Sequence, residues 1–442
     1  MQTAGLHLDQ APPLVIPLTF FASAPIAVFA AGALLLVEGV LALVSNWLAQ
    51  TLALTHLGTL GFLVMVMMGA LYQLTPVVAG HRVRGVRIAH AVHALLLIGL
   101  VGLVTGLLTY SPRVTFVSLA VLLLSLLLFL PPVAQALARA PTRSETVTGM
   151  RMAIVSLVLV GFLGLWMAHG HSGMRFPGPR PLWIQVHLSV GFLGWIGCLI
   201  SAVSWQVLPM FYLASPQSRG SKRVTLGLVA LGVILPVLVL FLDLAGAIPE
   251  GWPAPTRLAA AGALPAALAL WGIQPVLSLR GLFQRRRRRV DGSVRFWQAG
   301  LCAAILTAVA AVVAHLLDHP RWVLLLGWIA IWGWAGMIVH GMLTRIVPFL
   351  VWFHRFSPLV GLVPVPSLRG LLPDRWTRRG FVVHVASVLA GIATIVSGSD
   401  WLARLTGLLL MATAAQLGYS IFHVLRQPVP DPPAAAPAAT PV

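Results

Sequence analysis

Histidine is the residue that offers chemistry in this sequence. Fourteen histidines stand in a chain of which only 9% is charged, and several lie inside long apolar runs. Imidazole binds iron, copper and zinc and moves protons, and a polar ring in lipid needs a partner or a task. His56 opens the stretch HLGTLGFLVMVMMGALYQLTP, 56–76, which is otherwise apolar until Gln73. His187 opens a similar stretch further on. His90 and His93 are three residues apart and share a helix face. His340 and His384 fall within later runs, and Arg345 follows His340 by five residues. His315 and His319 have the i,i+4 spacing of a helical metal pair, with Asp318 between them in HLLDHP. His169 and His171 end another run.

Three acids, Glu38, Asp243 and Asp318, fall on the same side of the chain's apolar runs as His56 and His187. A carboxylate there either takes the second N–H of a ligating imidazole or relays protons. Arg345 suits a heme propionate, another anion or the lipid interface. Each histidine has a plainer reading as a hydrogen-bonded packing residue, and His81, His354 and His423 read as interfacial. Met65, Met67 and Met68 resemble a copper-soft cluster but read better as core packing. Cys198 and Cys302 have no CxxC spacing. No phosphate loop, HExxH or GxSxG in a strand–helix setting is present.

The elements that must position these groups are membrane spans. Hydrophobic residues make up 59% of the chain, and many runs exceed the ~20 residues that cross a bilayer as helix. The hydropathy predicts an all-α polytopic membrane protein with twelve spans, at 15–44, 51–78, 87–109, 114–137, 151–169, 184–213, 224–247, 257–281, 296–317, 322–353, 380–398 and 400–424. Residues 1–426 read as one transmembrane domain, and 427–442 as a disordered Pro/Ala-rich tail. The N-terminus lacks the basic stretch of a signal peptide, so the first span reads as structure. Residues 361–379 read as a Pro/Arg-rich loop.

Alternate loops divide the charge. Of 29 Lys and Arg, 22 fall on one side, 6 on the other, and Arg345 lies within a span. The positive-inside rule then places both termini in the cytoplasm of a bacterial-type inner membrane. The net charge of +19 is thus a topology signal rather than a nucleic-acid footprint. The run Arg285–Arg289 is expected to meet anionic head groups.

The spans repeat. Aligned on Pro76, Pro209 and Pro348, three spans each carry glycine fifteen residues earlier, at Gly61, Gly194 and Gly333. Each also carries a long polar side chain three residues before the proline, at Gln73, Gln206 and Arg345. The prolines are 133 and 139 residues apart, four spans each time, so spans two, six and ten are equivalent and the chain reads as three four-helix arcs. His56 and His187 lie 20 and 22 residues before their prolines, and span ten has Trp328 and Leu326 there.

Twelve helices in three arcs, with histidines at equivalent depth, resemble subunit I of heme–copper oxidases. The closer resemblance is to the NnrS-type branch, whose motif of histidine, GF, glycine and PxxxG is matched by His56, Gly61-Phe62, Gly69 and Pro76 to Gly80. The resemblance implies heme b at His56 and copper or heme at His187; His90, His93, His340 and Arg345 are further candidate cofactor-binding residues. It also implies respiratory redox chemistry or the handling of nitric oxide and nitrosative stress, with respiratory or electron-transfer subunits as partners. The departures argue against proton-pumping oxygen reduction: span seven has no histidine, Gly191 replaces the tyrosine after the helix-six histidine, and HRVRG follows span two. The alternative is a transporter or metal-delivery and assembly factor without heme.

Overall fold

The computed structural model describes residues 10–141, 144–171, 178–286, 290–317 and 319–430. Asp318, Arg143, Arg175, Arg287 to Arg289 and the tail from 431 lie outside the described residues, as do the side chains of His169 and His171.

Twelve helices are long and apolar enough to cross a membrane, and no strand occurs among the described residues. They are α1 (Val15–Leu43), α2 (Ala49–Ala79), α3 (Val86–Leu108), α4 (Pro112–Ala138), α5 (Glu145–Ala168), α6 (Arg180–Tyr212), α7 (Arg219–Leu244), α8 (Pro255–Phe283), α9 (Gly292–Leu317), α10 (Pro320–Leu359), α11 (Asp374–Ser397) and α12 (Asp400–Leu425). The chain is a multi-pass membrane protein. Hydropathy locates every span but stops short of helical turns that run past the apolar stretch. α5 and α11 each begin six residues before the expected start, at Glu145 and Asp374, and the loop expected over 361–379 gives up its last turn and a half to α11. Asp374 puts a carboxylate in that first turn, where the helix dipole favours it. Serines start other spans: Ser218 accepts from Ser221 N at 3.1 Å ahead of α7, and Ser111 caps α4 beside a proline at the first turn.

Burial separates the spans into two classes. The apolar windows of α2, α6 and α10 are 83%, 72% and 67% buried, whereas the other nine are 28–44% buried. The three repeat spans therefore form an inner set that the other nine enclose. Their internal structure also repeats. Each opens as α-helix, widens into π-helical turns at Leu57–Val64, Ser189–Gly197 or Ile329–Gly336, and continues as a 15-residue α-helix, which in α10 is followed by a further π segment at Trp352–Phe356. Each of the three equivalent π segments ends twelve residues before the aligned proline and contains the aligned glycine. A side chain at Gly61 would meet Ala27 of α1 and Leu100 of α3. At Gly194 it would meet Ser156 of α5 and Val233 of α7. At Gly333 the neighbours are Ala303 of α9 and Val388 of α11. Each glycine thus marks where an inner span passes between its two chain neighbours.

The first and last spans close the molecule, with α1 packed along α12. The regular part of α1 ends at Glu38, and Gly39 turns with φ +59°. Asp400 accepts from Val40 N at 2.9 Å there, and Arg404 donates to the carbonyls of Leu36 and Val37 at 2.7 and 3.3 Å. Two of the last four carbonyls of this helical segment, left open by the break, are thereby satisfied from α12.

Candidate functional site

Two imidazole sites stand on the inner spans. The first joins α2 and α6. His56 lies just before the π segment of α2, and its Nδ1 donates to the carbonyl of Leu52 at 2.8 Å. That bond fixes the ring and leaves Nε2 with its lone pair. His187 lies two residues before the π segment of α6. Its ring rests on α5 at Gly164, where a side chain would come within 3.2 Å of Cε1, and the Val160 carbonyl is beside it. His187 Nδ1 is buried without a protein partner. His56 and His187 are within electrostatic reach of each other. The third equivalent position does not join them. Trp328 turns to α11, donates from Nε1 to the Val388 carbonyl at 3.0 Å, and occupies the space left by Gly391.

The second site lies between α10 and α11, closer to the arginine-rich face. His340 Nδ1 and His384 Nδ1 are 3.0 Å apart, and His384 Nε2 is 3.0 Å from the Trp332 carbonyl. Both rings are fully buried. Trp332 stacks on His384 at 4.1 Å, and Phe296 of α9 covers His340 at 4.5 Å. Ser387 accepts from Trp332 Nε1 at 2.8 Å and donates to the His384 carbonyl at 2.6 Å. Trp332 also meets Phe62 of α2 edge-on at 5.7 Å, so aromatic rings fill the space between α2 and α10.

Other residues singled out from sequence have different surroundings. Arg345 does not face the rings: it pairs with Asp291 ahead of α9 at 2.5 Å, donates to Ser293 at 3.2 Å, and lies 5.4 Å over the Tyr212 ring. Its charge is thus met by a carboxylate of this chain. The helical metal pair does not form. α9 ends at Leu317, and His319 lies beyond it in extended conformation, where its Nδ1 accepts from Arg321 N at 3.2 Å and caps α10. His315 and His319 therefore share no helix face, and both are exposed. His90 is exposed, whereas His93 turns to α1, 2.8 Å from Ser23 Oγ and edge-on to Phe20. Glu38 sits at the break of α1, and Asp243 lies 3.5 Å from where a Gly178 side chain would begin. Met65, Met67 and Met68 are all buried in the core, the packing role expected for them. Arg285 of the expected head-group cluster donates to the Leu282 carbonyl at 2.7 Å.

Sequence reasoning left His384 without a partner and passed over Gln416. It also missed a buried amide cluster in which Gln217 donates to Gln274 at 2.8 Å and Gln274 to Ser204 at 2.8 Å. The available signal was an amide side chain inside an apolar span, which lipid does not tolerate unpaired.

The polar ends of the inner spans frame one more feature. Gln73 and Gln206 line a small cavity where α2, α6 and α10 converge, walled by Phe21, Phe211 and Phe349. Among the described residues, no three His, Cys, Asp or Glu side chains converge on one point. Two imidazoles suit bis-histidine heme iron or two-coordinate copper, and fall short of a closed four-ligand zinc site. No protein-family model matches this chain, and no curated protein is detectably similar to it.

Proposed function

We propose that this protein is a heme- or copper-binding integral membrane protein of the heme–copper oxidase subunit I and NnrS type, acting in respiratory redox chemistry or nitric oxide handling. One observation carries the reading: His56 and His187 stand one and two residues ahead of the π segments of two inner spans. The donor chemistry fits the group. His56 gives its Nδ1–H to the Leu52 carbonyl, the outer-shell bond that orients a ligating imidazole, and His187 keeps a buried nitrogen free. His56 and His187 would hold the metal, which supplies a redox centre open to small ligands. The π-helical turns support the reading, because such turns recur at functional sites. The three-arc, oxidase-like arrangement, the inner-membrane location with cytoplasmic termini, anionic head groups at the arginine run 285–289, and electron-transfer partners belong to the same proposal.

The test is the purified protein in mild detergent. Oxidised and dithionite-reduced visible spectra are recorded, with iron and copper counted on the same sample. The expected result is a Soret band or stoichiometric copper that His56→Ala with His187→Ala abolishes. A colourless, metal-free protein after heme- and copper-supplemented expression would overturn the assignment and favour a transporter or assembly factor. Unchanged metal content in the double variant would move the cofactor elsewhere.

A further inference from the structure

We propose that His340 Nε2 and Gln416 Oε1 form a buried site for one water molecule, held between α10, α11 and α12 as donor of both its hydrogens. The hydrogen bonds around His340 fix which atoms donate. The Trp332 carbonyl only accepts, so His384 Nε2, 3.0 Å away, carries the hydrogen. A neutral imidazole then has a lone pair on its other nitrogen, and His384 Nδ1 is an acceptor. The 3.0 Å contact between the two Nδ1 atoms is therefore a bond donated by His340. His340 is left with a lone pair on Nε2, fully buried, and no protein donor reaches it.

The facing group is also an acceptor. Gln416 Nε2 donates to the Trp376 carbonyl at 2.7 Å and to Ser420 Oγ at 3.1 Å. Those partners orient the amide, so Oε1 is the end that remains, and it too is buried without a protein donor. Both acceptors flank Gly380 of α11. A side chain there would collide with Gln416 Oε1 and stand 3.3 Å from His340 Nε2. Two buried acceptors beside one glycine call for a small neutral molecule with two hydrogens to give, because a buried acceptor without a donor is costly.

An added proton on His340 is the competing solution, and the charges at this end of the molecule oppose it. From α9 the ring meets Phe296, with Arg295 and Asp291 in the turn toward the arginine-rich face, and Asp291 is already paired with Arg345. α11 contributes His384 and, at its start, Asp374, Arg375, Arg378 and Arg379. α12 contributes Gln416, Tyr419 and His423. Cations outnumber free carboxylates, and an imidazolium would have no counter-ion. The water would join His340 through Gln416 to Trp376, which is partly exposed in the first turn of α11.

The test uses the full chain, labelled with ring-15N histidine and reconstituted in lipid, with His340→Phe to assign its resonances by magnetic-resonance spectroscopy. The expected result near neutral pH is a protonated Nδ1, an unprotonated Nε2, and magnetisation transfer from water to Nε2 alone of the His340–His384 pair. Gln416→Leu should remove the water transfer while the coupling between the two Nδ1 atoms persists, and Gly380→Ala should do the same by filling the gap. A protonated Nε2, a metal-shifted Nε2, or an unprotonated Nε2 without contact to water would each overturn the proposal. The wild-type spectrum decides it even if a variant fails to fold. The readout is independent of metal at His56 and His187, so the two proposals fail separately.

Discussion

A single imidazole in the bilayer interior is expensive unless its nitrogens are placed, and the chain places them by different means. His56 uses the backbone one turn back in its own helix, whereas His340 uses a second histidine anchored on a carbonyl. Removing that anchor has a calculable effect. His384→Ala leaves the His340 Nδ1–H buried and unpaired beside a void, which should cost about 2–4 kcal/mol. Unfolding by SDS titration measures it, and a loss below about 0.5 kcal/mol would show that the pair is not structural. Arg345 makes a second residue-level case. Its guanidinium and the Asp291 carboxylate are 14% and 21% exposed, a setting in which a pair still couples. A double-mutant cycle of Arg345→Ala and Asp291→Ala should return about 1–3 kcal/mol of coupling. Arg345→Ala should also leave iron and copper content unchanged, because the side chain is turned toward Asp291.

At the scale of the element, glycine decides how closely spans approach. Gly39 sits at φ +59°, and a side chain there would strike the Asp400 carboxylate that holds the break of α1. Gly39→Ala should therefore cost about 1–3 kcal/mol, through backbone strain and loss of the Asp400 bond to Val40 N. Gly391 gives its space to the Trp328 indole, so Gly391→Val should expel the ring and break its bond to the Val388 carbonyl. The change is visible as a shift in tryptophan emission and a lowered midpoint in the same SDS titration. An unmoved midpoint would mean that the indole has another place to go. The π segments belong to this scale too. Nothing in their composition announces them, because a π turn differs from an α turn in hydrogen-bond register and not in residue type.

For the whole molecule, the division of charge between alternate loops predicts sidedness. If the arginine-rich face is cytoplasmic, a cysteine at Ser111, between α3 and α4, should react with an impermeant maleimide from outside intact cells. A cysteine at Gln284, after α8, should react only after lysis. Labelling in the opposite order would reverse the topology. Cys198 is buried, but Cys302 is exposed on a span surface and should be replaced in the parent used for this work. Closure of the molecule by α1 against α12 also predicts that Asp400→Ala loosens the contact between the first and last spans, read as faster hydrogen exchange at Val40.

The sequence by itself determined the number, order and approximate bounds of the spans. Bilayer thickness sets a length and composition that no other use of a chain so reliably mimics. It also determined which spans are equivalent, because the spacing of Gly61, Gly194 and Gly333 to their prolines is carried in the linear order. Tertiary structure alone decided partnership. His340 and His384 are 44 residues apart, and no periodicity links them. Arg345 met Asp291 from 54 residues away. His319 left the helix that would have aligned it with His315, because α9 ends at Leu317 before Pro320 opens the next span. Apolar patterning fixes which stretches enter the membrane, but the rotation of each helix about its own axis is set by packing against its neighbours. That rotation turned the Trp328 indole to α11 and set His340 against His384.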